Sequence, residues 1–303
     1  MAEILAGIAP IFALILAGHG LKRLNFPGEA FWPDLERLTY YVLFPALLVD
    51  SLSAKDLGGL PVALPALALV LAVCAAAGLL FLARPWLGLS GPAFTSVLQG
   101  AIRPNTYVGL SAAAALLGVE GLARAAVALV VLIPLVNTLA VVALNRFGEG
   151  DSRPGVLGVL RELAKNPLIL SCLAGLVLNG LGQRLPFGLS EVAAILGRAA
   201  LPLGLLAVGA GLRFQLAQTR PLALASVLHL VFLPVLAAGA CSLLGVDPVS
   251  RLVVVLFTAV PASASSYILA RQMGGDADLM AAVITIQTAL SALSLPLAAA
   301  WLG

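Results

Sequence analysis

Charge is the scarcest property of this chain. Of its 303 residues, 10 % are charged and 61 % are apolar, and the mean hydropathy is +1.08. Soluble globular chains carry about a quarter charged residues, so a water-soluble fold is excluded and an all-α polytopic membrane protein is expected. The basic residues stand singly between apolar runs, without the clustered patch that nucleic acid requires. Cysteine is nearly as sparse. Cys74, Cys172 and Cys241 each lie in an apolar run with no CxxC or Cys/His spacing, which reads as packing rather than metal or redox chemistry. No cofactor is implied. Catalytic pairings are missing too: Ser263 to Ser266 with His229 is the set an intramembrane hydrolase could use, but no nucleophile elbow accompanies it and serine is common in membrane helices. The chain is not read as an enzyme.

What is abundant is long apolar sequence. A crossing helix needs roughly 20 apolar residues, and ten such spans are predicted, at about 4–22, 35–54, 60–83, 91–117, 120–145, 166–183, 189–212, 220–244, 248–273 and 277–302. The first has Glu3 before it and Lys22-Arg23 after it, the reverse of a secretory signal. Between spans five and six, Val156, Leu157, Val159, Leu160 and Leu163 alternate with Arg161, Glu162 and Lys165, the pattern of an amphipathic interfacial helix. The basic residues then set the orientation. Lys22, Arg23, Arg37, Arg84, Arg146, Arg153, Arg161, Lys165, Arg213, Arg220 and Arg271 belong to loops on one side, against Lys55, Arg124, Arg184 and Arg251 on the other. The positive-inside rule puts both termini outside.

Two spans are interrupted. Gln99 to Gly109 carries Arg103, Pro104, Asn105 and Thr106 in mid-span, and Thr258 to Ser266 carries Pro261 with Ser263, Ser265 and Ser266. Charge and broken backbone are tolerated at membrane depth only where they line a cavity or pack in protein. Shifting the chain by 157 residues pairs Pro10 with Pro167, Gly18 with Gly175, Pro45 with Pro202 and Pro104 with Pro261. Five spans per repeat is an odd number, so the second repeat must insert upside down, and paired broken helices in inverted repeats point to a transport site. The expected organisation is a first repeat over 1–145, a cytoplasmic linker over 146–165 and a second repeat over 166–303.

Arg103-Pro-Asn-Thr-Tyr-Val-Gly109, Leu43-Phe-Pro-Ala-Leu-Leu48, Pro134-Leu-Val-Asn137 and the run Pro261 to Gly275 together resemble the auxin efflux carrier family, and within it the short prokaryotic members. Pro104-Asn105-Thr106 with Val108-Gly109 also resembles the crossover motif of the plant PIN carriers, whose large hydrophilic loop is absent here. The resemblance implies a fold similar to sodium/proton antiporters and bile-acid symporters. Spans one, two, six and seven would form a panel; the other six would form a core in which spans four and nine cross at Pro104 and Pro261. It further implies a prokaryotic inner-membrane carrier that exports or exchanges a small organic anion by alternating access, with a homodimer through panel helices by analogy. A sodium-coupled symporter of the bile-acid type and a non-transporting sensor are the alternatives. Neither Gln99–Ser111 nor Thr258–Ala270 contains Asp or Glu, which weighs against a carboxylate-built sodium site.

The candidate substrate-binding residues follow from the breaks. Arg103 reads equally as a bidentate partner for a carboxylate and as a structural arginine holding freed carbonyls. Asn105 and Thr106 open the second half-helix, where N–H groups and a positive dipole end favour an anion. By resemblance, the asparagine matching Asn105 contacts substrate in the plant carriers; as a plain reading, it caps the helix. Ser263, Ser265 and Ser266 would hold the mirror position, although small hydroxyls also bond back to their own helix. Asn137 in span five is placed at the site. Gln287, Ser291 and Ser294 in span ten, with His19 and His229, are more simply interhelical hydrogen bonders. Asp50 would line an outer vestibule or titrate, and Arg198 would snorkel outward or pair with Asp50.

Overall fold

A computed structural model describes residues 2–53, 62–150, 156–186, 188–214 and 219–303, which form helices joined by short turns, with no named strand among the described residues. Six helical stretches are long and apolar enough to cross a membrane: α1 (Ala2–Arg23), α4 (Ala63–Leu87), α6 (Thr106–Phe147), α9 (Leu189–Ala210), the run Thr219–Leu244 and α14 (Ala277–Trp301). The run Thr219–Leu244 consists of α10 (Thr219–Val227), a wide turn at Leu228–Phe232 and α11 (Leu233–Leu244). Likewise α2 (Phe31–Leu38) passes through a wide turn at Thr39–Leu43 into α3 (Phe44–Ser53). The remaining helices are α5 (Gly91–Ile102), α7 (Val156–Ala164), α8 (Pro167–Gly180), α12 (Pro248–Ala259) and α13 (Ser265–Met273). Leu157 and Leu160 of α7 are exposed, as an interfacial helix would leave them. Lys55, Arg153 and residues 151–155 of the expected linker lie outside the described residues.

Local sequence explains where helices break. Both wide turns end two residues before a proline, Pro45 or Pro234, and in each the residue directly ahead of the proline bonds five positions back: Phe44 N–H to Thr39 O and Leu233 N–H to Leu228 O. Proline offers no N–H and its ring presses on the carbonyl four residues earlier, so the helix opens there instead of breaking. α6, at 42 residues, would run about 63 Å if straight, roughly twice the hydrocarbon thickness. It is not straight. Gly118 adopts φ 60°, ψ −144°, and a Cβ on Gly121 would stand 2.5 Å from Ala113 O, so the chain turns sharply between two helical lengths.

Element boundaries recur at the interval of 157 residues. Adding it to the bounds of α5 gives 248–259, the bounds of α12. The same shift carries the end of α1 to the end of α8, of α3 to the end of α9 and of α4 to the end of α11. The N-caps correspond too: Ser90 caps α5 and Asp247 caps α12, each accepting from the N–H three residues on. α1 packs chiefly on α9, and α3 on α8 and α9. Apart from these, α4 packs on α11, α5 on α10 and α6, and α12 on α6, α11 and α14. Glycine permits close approaches. A Cβ on Gly18 would lie 2.0 Å from Leu206 O, and one on Gly175 would lie 2.8 Å from the Leu52 Cβ and 3.3 Å from Val49.

One polar cluster ties the turn in α6 to the start of α12. The Arg124 guanidinium donates to Glu120 and Asp247, each at 2.8 Å, and to the Ser250 hydroxyl. Burial pushes the Asp247 carboxyl upward, but the Ser250 hydroxyl and amide and the Arg124 charge outweigh it and hold the group below the usual carboxylate range.

Candidate functional site

The two interrupted helices meet backbone to backbone. Beyond α5, Arg103 leaves helical geometry (φ −106°, ψ 96°), and Asn105 (φ −76°, ψ 106°) starts α6. Beyond α12, Val260 is extended and α13 starts at Ser265. Between them Pro104 and Ala262 form an antiparallel bridge. The Asn105 N–H donates to Pro261 O at 2.8 Å and the Ser263 N–H to Arg103 O at 3.0 Å. Two stretches of non-helical backbone thus satisfy each other inside an apolar body, as buried backbone must.

Side chains complete the junction. Pro104 has no N–H for the carbonyl of Gly100, so that oxygen is left over from α5. Gln287 of α14, fully buried, supplies the donor: its Nε2 reaches Gly100 O at 2.9 Å and Ala225 O at 3.2 Å, while its Oε1 accepts from the Ala262 N–H at 2.9 Å. The Ala101 carbonyl is orphaned for another reason, because the Asn105 N–H has gone to Pro261. It faces His229 Nδ1 at 2.9 Å, and Nε2 of the same ring faces Val260 O. Gln287 and His229 therefore clasp α5, α10, α12 and α14 at one level. A single polar residue in an apolar span carries no pattern that reveals such a partner, and sequence reading placed them no further than interhelical hydrogen bonding.

The predicted site residues divide into those the fold brings together and one it does not. Arg103 donates to Asn137 Oδ1 at 2.6 Å and to Gln99 Oε1 at 3.3 Å, so span-five Asn137 and the first break share one cluster. Gln99 was passed over in the sequence, though its place four residues before Arg103 puts both on one helix face. Its Nε2 is buried without a hydrogen-bond partner. Asn105, 3 % exposed, places Oδ1 on the N–H groups of Tyr107 (3.1 Å) and Val108 (3.3 Å). The expectation of open N–H groups at this helix end is accordingly narrowed: two are capped by Asn105 Oδ1. Thr106 is half-buried in the first turn. Ser263 and Ser265 share a hydrogen bond at 2.9 Å, and the buried Ser266 hydroxyl has no partner. Ala264, the N-cap of α13, gives no side-chain cap.

Asp50 is not part of this cluster. It is half-buried in α3, within the electrostatic reach of Arg184. Arg198 lies exposed and donates to Ala194 O of its own helix. Near the junction, Tyr107 stacks on Phe44 with ring centroids 4.5 Å apart, and Gly204 of α9 makes room for both rings. No group of three or more His, Cys, Asp or Glu residues able to hold a metal ion occurs among the described residues. The chemistry gathered at the breaks is a guanidinium, amide and hydroxyl donors, and the N-terminal ends of two half-helices. That is a donor set for an anion.

Long apolar helices around a polar, interrupted centre define a membrane transport protein. Comparison with known proteins places it further. The family model described as "Membrane transport protein" matches residues 155–299. A Methanothermobacter thermautotrophicus protein named "Uncharacterized transporter" is 28 % identical over 299 residues, covering 96 % of this chain and 95 % of the relative. A Rhizobium meliloti protein named "Putative malonate transporter" is 30 % identical over 308 residues, covering 96 % and 93 %. The chain belongs to the auxin efflux carrier family of membrane transporters.

Proposed function

We propose that this protein is a secondary transporter of a small organic anion, a carboxylate of the malonate or auxin-like class, working by alternating access at the crossing of its two broken helices. The observation that carries the reading is the antiparallel pairing of Pro104 and Ala262. It sets the N-terminal ends of α6 and α13 beside Arg103, Asn105, Thr106, Asn137, Ser263, Ser265 and Ser266, with the Gln99 amide behind them. The Rhizobium meliloti relative's name supports a short dicarboxylate as the first substrate to try.

The architecture behind this reading is ten spans in two inverted repeats, 1–145 and 166–303. The recurrence of helix ends and caps at 157 residues supports it. So does a pair of matched close approaches: Gly18 on Leu206 becomes, under that shift, Gly175 on Val49. The packing of α1, α3, α8 and α9 on one another supports a panel, against which the remaining helices move as a core with Tyr107 and Phe44 at the sliding surface. Both termini face outward from a prokaryotic inner membrane. Efflux or exchange is the direction this reading favours.

A thermal-shift screen of purified protein against malonate, malate, lactate, pyruvate, indole-3-acetate and larger aromatic acids tests it, because a ligand that binds the folded state raises its melting temperature. A saturable shift with one of these acids, absent with its neutral amide, is expected. No shift with any acid would overturn the anion assignment.

A further inference from the structure

We propose that His229 is the proton-coupling site of this transporter, taking up a proton between the C-terminal ends of α5 and α12 while the anion occupies the N-terminal ends of α6 and α13. The proposal rests on the anion-transport reading above.

The geometry is the argument. Both ring nitrogens of His229 face backbone carbonyl oxygens, Ala101 O and Val260 O. A carbonyl only accepts, and a neutral imidazole has one N–H. Neutral His229 can therefore satisfy one of these oxygens while turning a lone pair toward the other. The imidazolium alone donates to both. The Ala101 carbonyl has no helical substitute. The N–H that would serve Ala101 O in a continuous helix belongs to Asn105 and is spent on Pro261 O, and the ring is fully buried, away from water. Ala101 lies in the last turn of α5 and Val260 caps α12, so the partial negative ends of two helix dipoles converge on the ring and favour a cation there.

Opposing terms act on the ring. Burial disfavours the charge, and Arg103, two residues beyond Ala101, adds positive charge nearby. The elements packed on the Leu228–Phe232 turn are α5, α10, α11, α12 and α14. Their titratable or charged groups are Arg220, Cys241, Arg251 and Asp278. Each stands at least nine residues along its helix from the level of the junction, about 13 Å at 1.5 Å per residue. The balance is then set close by, by the two carbonyls, Arg103 and whatever occupies the anion site. Only three residues lie between Ala101 and Asn105, so an anion bound at the second half-helices offsets Arg103 and favours the proton. By linkage the proton favours the anion equally. The proton enters from water on the side to which the site opens and leaves on the other after the core moves; one proton with one monoanion transfers no net charge.

The chain has two histidines, His19 and His229, which makes the site directly observable. In ring-15N-histidine protein carrying His19→Asn, the remaining signal is expected to shift toward imidazolium as the pH is lowered from 7.5 to 5.5, and to shift further when malonate, or whichever acid the thermal screen identifies, is added. The two-signal spectrum of unsubstituted protein reads the same titration if that variant folds poorly. In parallel, affinity for the acid is expected to tighten about tenfold from pH 7.5 to 5.5, within the usual range of coupling between sites. In His229→Gln, which keeps one donor and one acceptor, that pH dependence should vanish while binding remains. A His229 signal that stays neutral across the range, with or without acid, overturns the proposal while binding of the acid leaves the anion reading standing. Failure of every acid to bind removes that reading and the coupling site together.

Discussion

Under the proposed function, Asn105 would hold a helix and a ligand at once. Its Oδ1 caps α6 through Tyr107 and Val108, and the proposal gives its Nδ2 donors to the substrate. The two uses can be separated by substitution. Aspartate caps as well as asparagine but brings a negative charge and no donor. Asn105→Asp should therefore keep the melting temperature of the free protein and lose the ligand-induced shift. Losing a hydrogen bond to a charged ligand, about 1.5–3 kcal/mol, weakens affinity by at least about tenfold. Asn105→Ala should lose both, with about 1 kcal/mol less stability from the missing cap. Retained binding in Asn105→Asp would reduce Asn105 to a cap. Arg103 has its guanidinium on Gln99 and Asn137, which fits its reading as a structural arginine; contact with an anion belongs to the proposed function.

At the scale of elements, prolines and close-packed glycines set the geometry. The breaks at Pro104 and Pro261 were legible in the sequence because proline in a polar interruption is a local signal. The wide turns before Pro45 and Pro234 were not, since sequence shows the proline but not how the helix opens around it. The roles of Gln287 and His229 were hidden for a different reason: their partners are carbonyls orphaned by breaks in other helices, and no spacing within α10 or α14 encodes that. Gly18 and Gly20 provide a test within one helix. A Cβ at Gly18 would meet the Leu206 carbonyl at 2.0 Å, whereas one at Gly20 meets nothing within 4 Å. Gly18→Ala is expected to force α1 and α9 apart, at a cost of about 1–3 kcal/mol typical of overpacking, read as a lowered melting temperature in detergent. Gly20→Ala should be neutral, or stabilising by up to about 1 kcal/mol, because alanine is the better helix former. Equal effects would mean that α1 and α9 do not rely on this approach.

For the molecule as a whole, charge decides which way the helices enter the bilayer. Loop arginines and lysines are held on the cytoplasmic side, at about 2.5–3.5 kcal/mol per charge for burial at mid-membrane. In the proposed topology, which rests on the sided distribution of basic residues in this sequence, the turn after α6 lies inside and the turn after α8 outside. Glu149 and Gln183 are exposed on those two turns. In a background without Cys74, Cys172 and Cys241, Gln183→Cys should react with a membrane-impermeant maleimide in intact cells, and Glu149→Cys only after the cells are opened. The reverse pattern would invert the topology and with it the side from which the crossing receives its anion. It would leave the crossing itself untouched, because the pairing of Pro104 with Ala262 is internal to the fold and indifferent to which face meets the cytoplasm. Labelling of both positions in intact cells would be more damaging. The two turns would then share one side, α7 and α8 could not bring the chain across between them, and the odd number of spans that inverts the second repeat would be lost.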